Sequence, residues 1–274
     1  MGGVLLDGGC RALSWSYDNT LRLWDLTSGE SRSLSGHEDS VPGAVLLEGE
    51  RQALSWSDDW TLRLWDLSSG ESSVLSGHEG SVRGSVLLEG ECQALSWSED
   101  KSLRLWDLTS GESRAFWGHE DSVVGAVLLK GEQQALSWSD DWTLRLWRLS
   151  SGESHVLSGH EDSVRGAVLL DGGRQALSWS DDNTLRLWDL SSGESRVLSG
   201  HEGSLRGAVL LEGERRALSW SDDRTLRLWA LDTCGELGCF VFDAAATVVL
   251  PLGNDGVFVG DNLGGMHQLR FSSG

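Results

Sequence analysis

Residues 36–76 read GHEDSVPGAVLLEGERQALSWSDDWTLRLWDLSSGESSVLS, and the chain repeats this unit with small changes every 41 residues. Gly-His recurs at Gly36-His37, Gly77-His78, Gly118-His119, Gly159-His160 and Gly200-His201, while Trp24, Trp65, Trp106, Trp147, Trp188 and Trp229 keep the same step. A fixed period of this length marks a repeat architecture, so repetition decides the domain organisation before chain length does. Inside the unit, Ala44-Val45-Leu46-Leu47, Gln52-Ala53-Leu54-Ser55-Trp56 and Thr61-Leu62-Arg63-Leu64-Trp65 are short, apolar-rich and broken by Gly, Asp, Ser and Glu. They read as strands a, b and c, and Ser72-Ser73-Val74-Leu75-Ser76, after the turn Ser68-Ser69-Gly70-Glu71, supplies strand d.

A four-stranded sheet of this size cannot bury both faces alone; stacking successive sheets face to face around an axis solves that. The pattern predicts an all-β, seven-bladed β-propeller of antiparallel sheets, with six near-identical units and a divergent seventh in one domain over 1–274. Blade boundaries fall near 1–35, 36–76, 77–117, 118–158, 159–199, 200–242 and 243–274. Blades 1 to 6 are expected to hold four strands and blade 7 three.

Gly-His followed by Ser-x-Ser-Asp-Asp-x-Thr-Leu-Arg-Leu-Trp-Asp resembles the WD40 repeat, over almost the whole chain. The resemblance implies a hydrogen-bonded tetrad in each blade, made of a His before strand a, a Ser of strand b, the second Asp of the b–c turn and the Trp of strand c. Carried over, the sets are His37/Asp59/Trp65, His78/Asp100/Trp106, His119/Asp141/Trp147, His160/Asp182/Trp188 and His201/Asp223/Trp229, with either Ser of each Ser-Trp-Ser completing them. A His and an Asp together invite a catalytic reading. Five equivalent sets cannot all be one active site, and no recurring nucleophile converges with them, so they are read as structural groups.

Three departures stand out. Trp15, Trp56, Trp97, Trp138, Trp179 and Trp220 sit between the two strand-b serines, where the family has a small residue, and are expected to pack between blades. The seventh unit, Phe258-Val259-Gly260-Asp261-Asn262-Leu263-Gly264-Gly265-Met266-His267-Gln268-Leu269-Arg270-Phe271, restores Gly260 there but puts Leu263 and Leu269 in place of the tetrad Asp and Trp, so apolar packing is expected to hold it. Its Gly-Asp-x-x-Gly-x-x-His-x-Leu form resembles the closing blade of C-terminal WD40 arrays in bacterial signalling ATPases of the STAND and NACHT kind. Blade 1 has Asp18 and Trp24 but no Gly-His loop, and the chain reads as a piece of a longer protein or an engineered product. The junction of blades 7 and 1 is then expected to be the weakest, with Gln268 to Phe271 on an unpaired edge open to self-association.

The net charge is −20 with 42 acidic residues spread through the repeats, which argues against nucleic acid and favours a protein partner with a basic patch. Cys10, Cys92, Cys234 and Cys239 form no C-x₂-C metal pattern and read as free thiols. No long apolar span or secretory leader is evident, so a soluble, cytoplasmic protein without membrane association is expected. No cofactor is expected. No metal site is expected either: the second Asp of each pair is committed to the tetrad, and the first lacks a second ligand at fixed spacing.

Binding residues are expected where loops share one end of the sheets and differ between units. The residue after the tetrad Asp runs Asn19, Trp60, Lys101, Trp142, Asn183, Arg224; the residue opening strand a runs Pro42, Arg83, Val124, Arg165, Arg206; the residue before the tetrad Asp runs Tyr17, Asp58, Glu99, Asp140, Asp181, Asp222. In the WD40 architecture these positions share the top rim, and Trp and Arg are the residue types that dominate interface energies. Trp60 and Trp142 read either as partner contacts or as caps on their own blades. Trp117 reads as a packing substitution. The leading function is a non-catalytic interaction module, a sensor or scaffold; the alternative is an engineered or recently amplified propeller with no evolved ligand. Strand a reads Gly-Ala-Val-Leu-Leu in four units and differs by a single polar residue, Ser85, in the third, too little for the set of non-repeating polar groups that catalysis there would need.

Overall fold

The structure, a computed structural model, describes residues 2–131, 133–211, 213, 215–252 and 256–270. The strands lie where the repeat places them. Sheet 1 is Gly2–Leu6, Arg11–Trp15, Thr20–Asp25 and Ser31–Ser35; sheet 2 is Gly43–Leu46, Gln52–Trp56, Thr61–Asp66 and Ser72–Ser76. Sheet 3 is Val82–Leu87, Gln93–Ser98, Ser102–Asp107 and Ser113–Trp117; sheet 4 is Val123–Leu128, Gln134–Ser139, Leu144–Arg148 and Ser154–Leu157. Sheet 5 is Val164–Leu170, Gln175–Ser180, Thr184–Asp189 and Ser195–Ser199; sheet 6 is Leu205–Leu210, Arg216–Ser221, Thr225–Ala230 and Gly235–Val241. Sheet 7 has three strands, Ala246–Pro251, Gly256–Asp261 and Met266–Arg270. Each is an antiparallel meander in chain order, and the strand count is that of a seven-bladed propeller. Two three-residue 3₁₀ turns, Asp7–Gly9 and Asp171–Gly173, are the only helical turns among the described residues. Phe271, part of the expected open edge, lies outside the described residues.

The chain forms two compact units, Met1–Leu128 with Leu149–Gly152, and Leu129–Arg148 with Glu153–Gly274. In each, consecutive sheets share a core. In the first unit, Leu6, Leu13, Leu21 and Leu34 of repeat 1 meet Val41, Ala53, Trp65 and Leu67 of repeat 2, and Leu47, Leu54, Leu62 and Leu75 of repeat 2 meet Val82, Ala94, Trp106 and Leu108 of repeat 3. The second unit repeats this, with Leu177, Leu185 and Leu198 against Ala217, Trp229 and Leu231, and Leu218, Leu226 and Leu228 against Ala246, Val249 and Val257. Strand alternation is the cause. Successive residues point to opposite faces, so Leu54 serves one interface while Ala53 and Ser55 serve the other. Each fully buried Leu contributes roughly 1.5–3 kcal/mol.

The strand-b tryptophans pack as expected against these cores, Trp15 and Trp56 in the first unit and Trp179 and Trp220 in the second. They also solve a local problem. Each faces a strand-a glycine across the sheet, Gly2↔Trp15, Gly43↔Trp56, Gly84↔Trp97, Gly166↔Trp179 and Gly207↔Trp220. A Cβ on Gly43, Gly84, Gly166 or Gly207 would overlap the indole, so the bare glycine is what lets the ring lie flat on the strand. Sheet 7 inverts the pair: Val248 stands opposite Gly260, the larger side chain now on strand a.

Candidate functional site

The d–a loop brings a buried His over strand b, and the tight b–c turn folds its Asp back to meet it. His37 Nδ1 lies 2.7 Å from Asp59 Oδ2 and its Nε2 2.8 Å from Ser55 Oγ, while Trp65 Nε1 donates to the same Ser55 Oγ at 2.8 Å. His78, Asp100, Ser96 and Trp106 repeat this geometry at 2.7, 2.7 and 2.8 Å. In the second unit so do His160, Asp182, Ser178 and Trp188, and His201, Asp223, Ser219 and Trp229. His119 is buried, Trp147 donates to Ser137 Oγ at 2.8 Å, and Asp141 Oδ1 accepts from Thr143. An indole N–H only donates and a carboxylate only accepts, so protons run one way along the chain: Trp to Ser, Ser to His Nε2, His Nδ1 to Asp.

The first Ser of each Ser-Trp-Ser therefore belongs to the chain of bonds. The second does other work: Ser57 Oγ donates to the Asp39 carbonyl at 3.0 Å and accepts the Asp59 amide at 3.0 Å, tying loop to turn. Burial opposes ionisation of Asp59, Asp100 and Asp182, but bonds from the His, the Thr or Ser two residues on and a loop amide outweigh it and hold the carboxyls far below their usual range. Asp223 is held down to about 2 by the same balance, burial against bonds from Thr225, the Glu202 amide and His201. Burial lowers His201 below the ordinary imidazole value, against the pull of Asp223, which keeps it neutral as the bond order requires. The donors and acceptors of these groups are used on one another.

The residue after each tetrad Asp sits at the tip of the b–c turn in left-handed conformation: φ is +69° at Asn19, +71° at Trp60, +72° at Lys101, +71° at Trp142, +69° at Asn183 and +64° at Arg224. Asn tolerates that region; Trp is strained there. Asn19 Nδ2 and Lys101 Nζ reach the Glu38 and Glu120 carbonyls at 3.1 and 2.8 Å. Trp60 and Trp142 are 52% and 51% exposed, and Tyr17 is 64% exposed. Arg224 is exposed, Asn183 half-buried, and Pro42 and Val124 half-buried at the start of strand a.

The structure pairs the remaining candidates with each other. Arg83 bonds Glu99 and lies 3.8 Å from Asp58; Arg165 bonds Asp181 at 2.6 Å and Asp140 at 2.8 Å; Arg206 bonds Asp222 at 2.7 Å. The signal was in the sequence, as the opposite charges of Arg83/Glu99, Arg165/Asp181 and Arg206/Asp222 at one constant separation. Exposed pairs of this kind are worth little stability; at the b–c turns they leave Tyr17 and Trp60 of the first unit and Trp142 of the second as exposed aromatic groups.

Residues 152–189 match the family model of the WD domain, G-beta repeat. The chain contains a WD40 repeat. WD40 domains are generally non-enzymatic interaction modules, and the matched residues carry Asp182, Trp188 and Ser178 of the set just described. No curated protein matches the chain.

Against the WD40 pattern, sheet 7 requires a correction. It does not rest on apolar packing alone: His267 Nε2 lies 3.0 Å from Asp261 Oδ2, Asp261 Oδ1 accepts the Leu263 and Gly265 amides at 2.9 and 2.7 Å, and His267 packs against Phe242 with ring centroids 5.2 Å apart. A shifted His–Asp pair thus stands in for the missing WD40 groups, because strand c presents His267 towards Asp261 on the preceding strand. Trp117 also differs from expectation. It is 59% exposed on the outer strand of sheet 3, so it fills no core. All four cysteines are free. Among the described residues no cluster of His, Cys, Asp and Glu could hold a metal, and no helix is long and apolar enough to cross a membrane.

Proposed function

We propose that the chain is a non-catalytic protein-interaction domain, a sensor or scaffold in the cytoplasm, that receives a basic partner at the b–c turn ends of its sheets. The carrying observation is the pair Trp60 and Trp142, half exposed on left-handed backbone at one turn position. Strain held at an exposed aromatic is supported by a gain made elsewhere, and the area of an exposed Trp is buried when a partner arrives. Acidic neighbours Asp58 and Asp140 immediately precede the tetrad Asp at these turns, and the overall charge of −20 attracts a basic surface. Calorimetric titration with an Arg/Lys-rich peptide tests this, with a Glu-rich peptide as control. Binding should weaken in Trp60→Ala and Trp142→Ala at unchanged melting temperature and fall with added salt. Equal affinity in both variants and the parent removes the site from these turns.

The competing reading, an engineered or recently amplified array with no evolved ligand, draws on the near-identity of six units and on the arginines already spent on neighbouring acids. It predicts no preference between the two peptides.

A further inference from the structure

The second residue of strand d is Arg32, Ser73, Arg114, His155 and Arg196 in sheets 1 to 5. Where it is Arg, its guanidinium crosses to the c–d turn of the next sheet and clamps two backbone carbonyls. Arg32 donates to Ser68 O at 2.9 Å and Leu67 O at 2.6 Å; Arg196 to Asp232 O at 2.7 Å and Leu231 O at 3.0 Å; Arg114 to Ser150 O at 2.7 Å and also to Ser151 O. The planar fork of the guanidinium matches two carbonyls at once. In sheet 4 the residue is His155, whose Nε2 lies over Gly193, 2.6 Å from where a Cβ would stand, as the Arg32 guanidinium lies over Gly70. Leu190 O and Ser191 O, the counterparts of Leu67 O and Ser68 O, accept no hydrogen bond among the described residues. A cavity of about 740 Å³ opens beside them, within the ~300–1,000 Å³ range of small-molecule sites.

The opposite wall of that cavity departs from the repeat as well. Arg148 stands where sheets 1, 2, 3 and 5 have Asp25, Asp66, Asp107 and Asp189. Those Asp residues cap their c–d turns: Asp66 Oδ1 accepts the Ser68 and Ser69 amides at 2.9 and 2.8 Å. Arg148 instead lies in the cavity wall, bonded to the exposed Glu153 at 3.0 Å. One wall therefore offers acceptors in the place where a guanidinium sits in three sibling grooves, and the other offers a cation in place of an anion.

We infer that this cavity binds an arginine bearing a free carboxylate, either the free amino acid or the C-terminal residue of a peptide. The guanidinium takes the unfilled clamp on Leu190 O and Ser191 O, and the carboxylate exchanges with Glu153 on Arg148. Exposed His155 swings aside to admit it. The inference stands apart from the b–c turn reading, since it uses the opposite ends of the sheets.

The test is calorimetric titration of the full chain with L-arginine, agmatine, which lacks the carboxylate, and citrulline, which lacks the guanidinium charge. A peptide ending in arginine and its C-terminal amide complete the set. Saturable binding of L-arginine, with agmatine and citrulline at least about tenfold weaker, is expected. His155→Arg fills the clamp with its own side chain and should abolish binding while the melting temperature holds or rises. Arg148→Ala should erase the preference for arginine over agmatine. Peptide binding that is lost in the amide assigns the site to a chain terminus; binding of the free amino acid alone assigns it to a small molecule. No saturable binding up to about 10 mM, or unaltered binding in a folded His155→Arg, overturns the inference.

Discussion

His160 bridges two partners: its Nδ1 bonds the Asp182 carboxylate and its Nε2 the Ser178 hydroxyl. His160→Ala removes both bonds and leaves a partly buried carboxylate short of a donor, at a cost of about 1–3 kcal/mol. The melting temperature should fall by roughly 2–4 °C per kcal/mol, with the β-sheet circular dichroism intact; an unchanged melt would show the bond chain to be idle. Protonation probes the same groups without mutation. His201 has a folded pKa depressed by burial below the ordinary imidazole value of 6.5, so its contribution to stability is present above 6.5 and is lost as pH falls through the folded value. Asp223, held at about 2 against the ordinary carboxyl value of 3.8, follows the same sign lower down, stabilising above 3.8 and failing as pH falls towards 2. Melts recorded across acid pH should therefore decline in two stages, and His201→Gln should remove the upper one. At the turn tips the sign reverses. Trp60→Gly relieves a left-handed Trp at φ +71° and should raise stability by about 1 kcal/mol while weakening partner binding.

The paired strands a and b carry the clearest coupling between elements. Gly166 faces Trp179, and a methyl group at 166 would stand inside the indole, so Gly166→Ala should destabilise sheet 5 by roughly 1–3 kcal/mol. Sheet 7 shows the alternative solution, with Val248 opposite Gly260. Transplanting it, Gly166→Val with Trp179→Gly, should cost less than the two single changes summed, because each removes the clash or the void created by the other. Simple addition in a double-mutant cycle would mean that the core around Trp179, not the cross-strand pair, selects the glycine.

Across the whole molecule, stability should be uneven. Sheet 7 has three strands where its fellows have four; its last strand, Met266–Arg270, pairs on one side only among the described residues, and Val248, Leu250 and Met266 are exposed. Fewer buried contacts and a bare edge lower the cost of local opening. Amides of 266–270 should exchange with solvent faster than those of Thr184–Asp189 in sheet 5, which pairs on both sides. Equal protection would point to a neighbour's strand on that edge, and light scattering would then show a dimer or larger species.

The period of 41 residues determined the strand order, the seven sheets and the short final one, because alternation along a strand and turn residues between strands are local properties that repeat with the text. It also placed His, Asp and Trp at constant separations, enough to name the bonded groups but not to choose between the two serines of Ser-Trp-Ser. That choice belongs to the pleat: Ser55 and Ser57 lie at neighbouring positions of one face, and only the fold sets Ser55 under His37 and Ser57 under the Asp39 carbonyl. The strand-a arginines looked free for a partner until the sheets brought Asp140 and Asp181 within reach of Arg165. Likewise the gap left by His155 becomes a cavity only when the next sheet's turn arrives beside it. A sequence shows which charges and shapes a chain carries. Which of them meet across sheets, and are thereby used up or left open, is decided by packing.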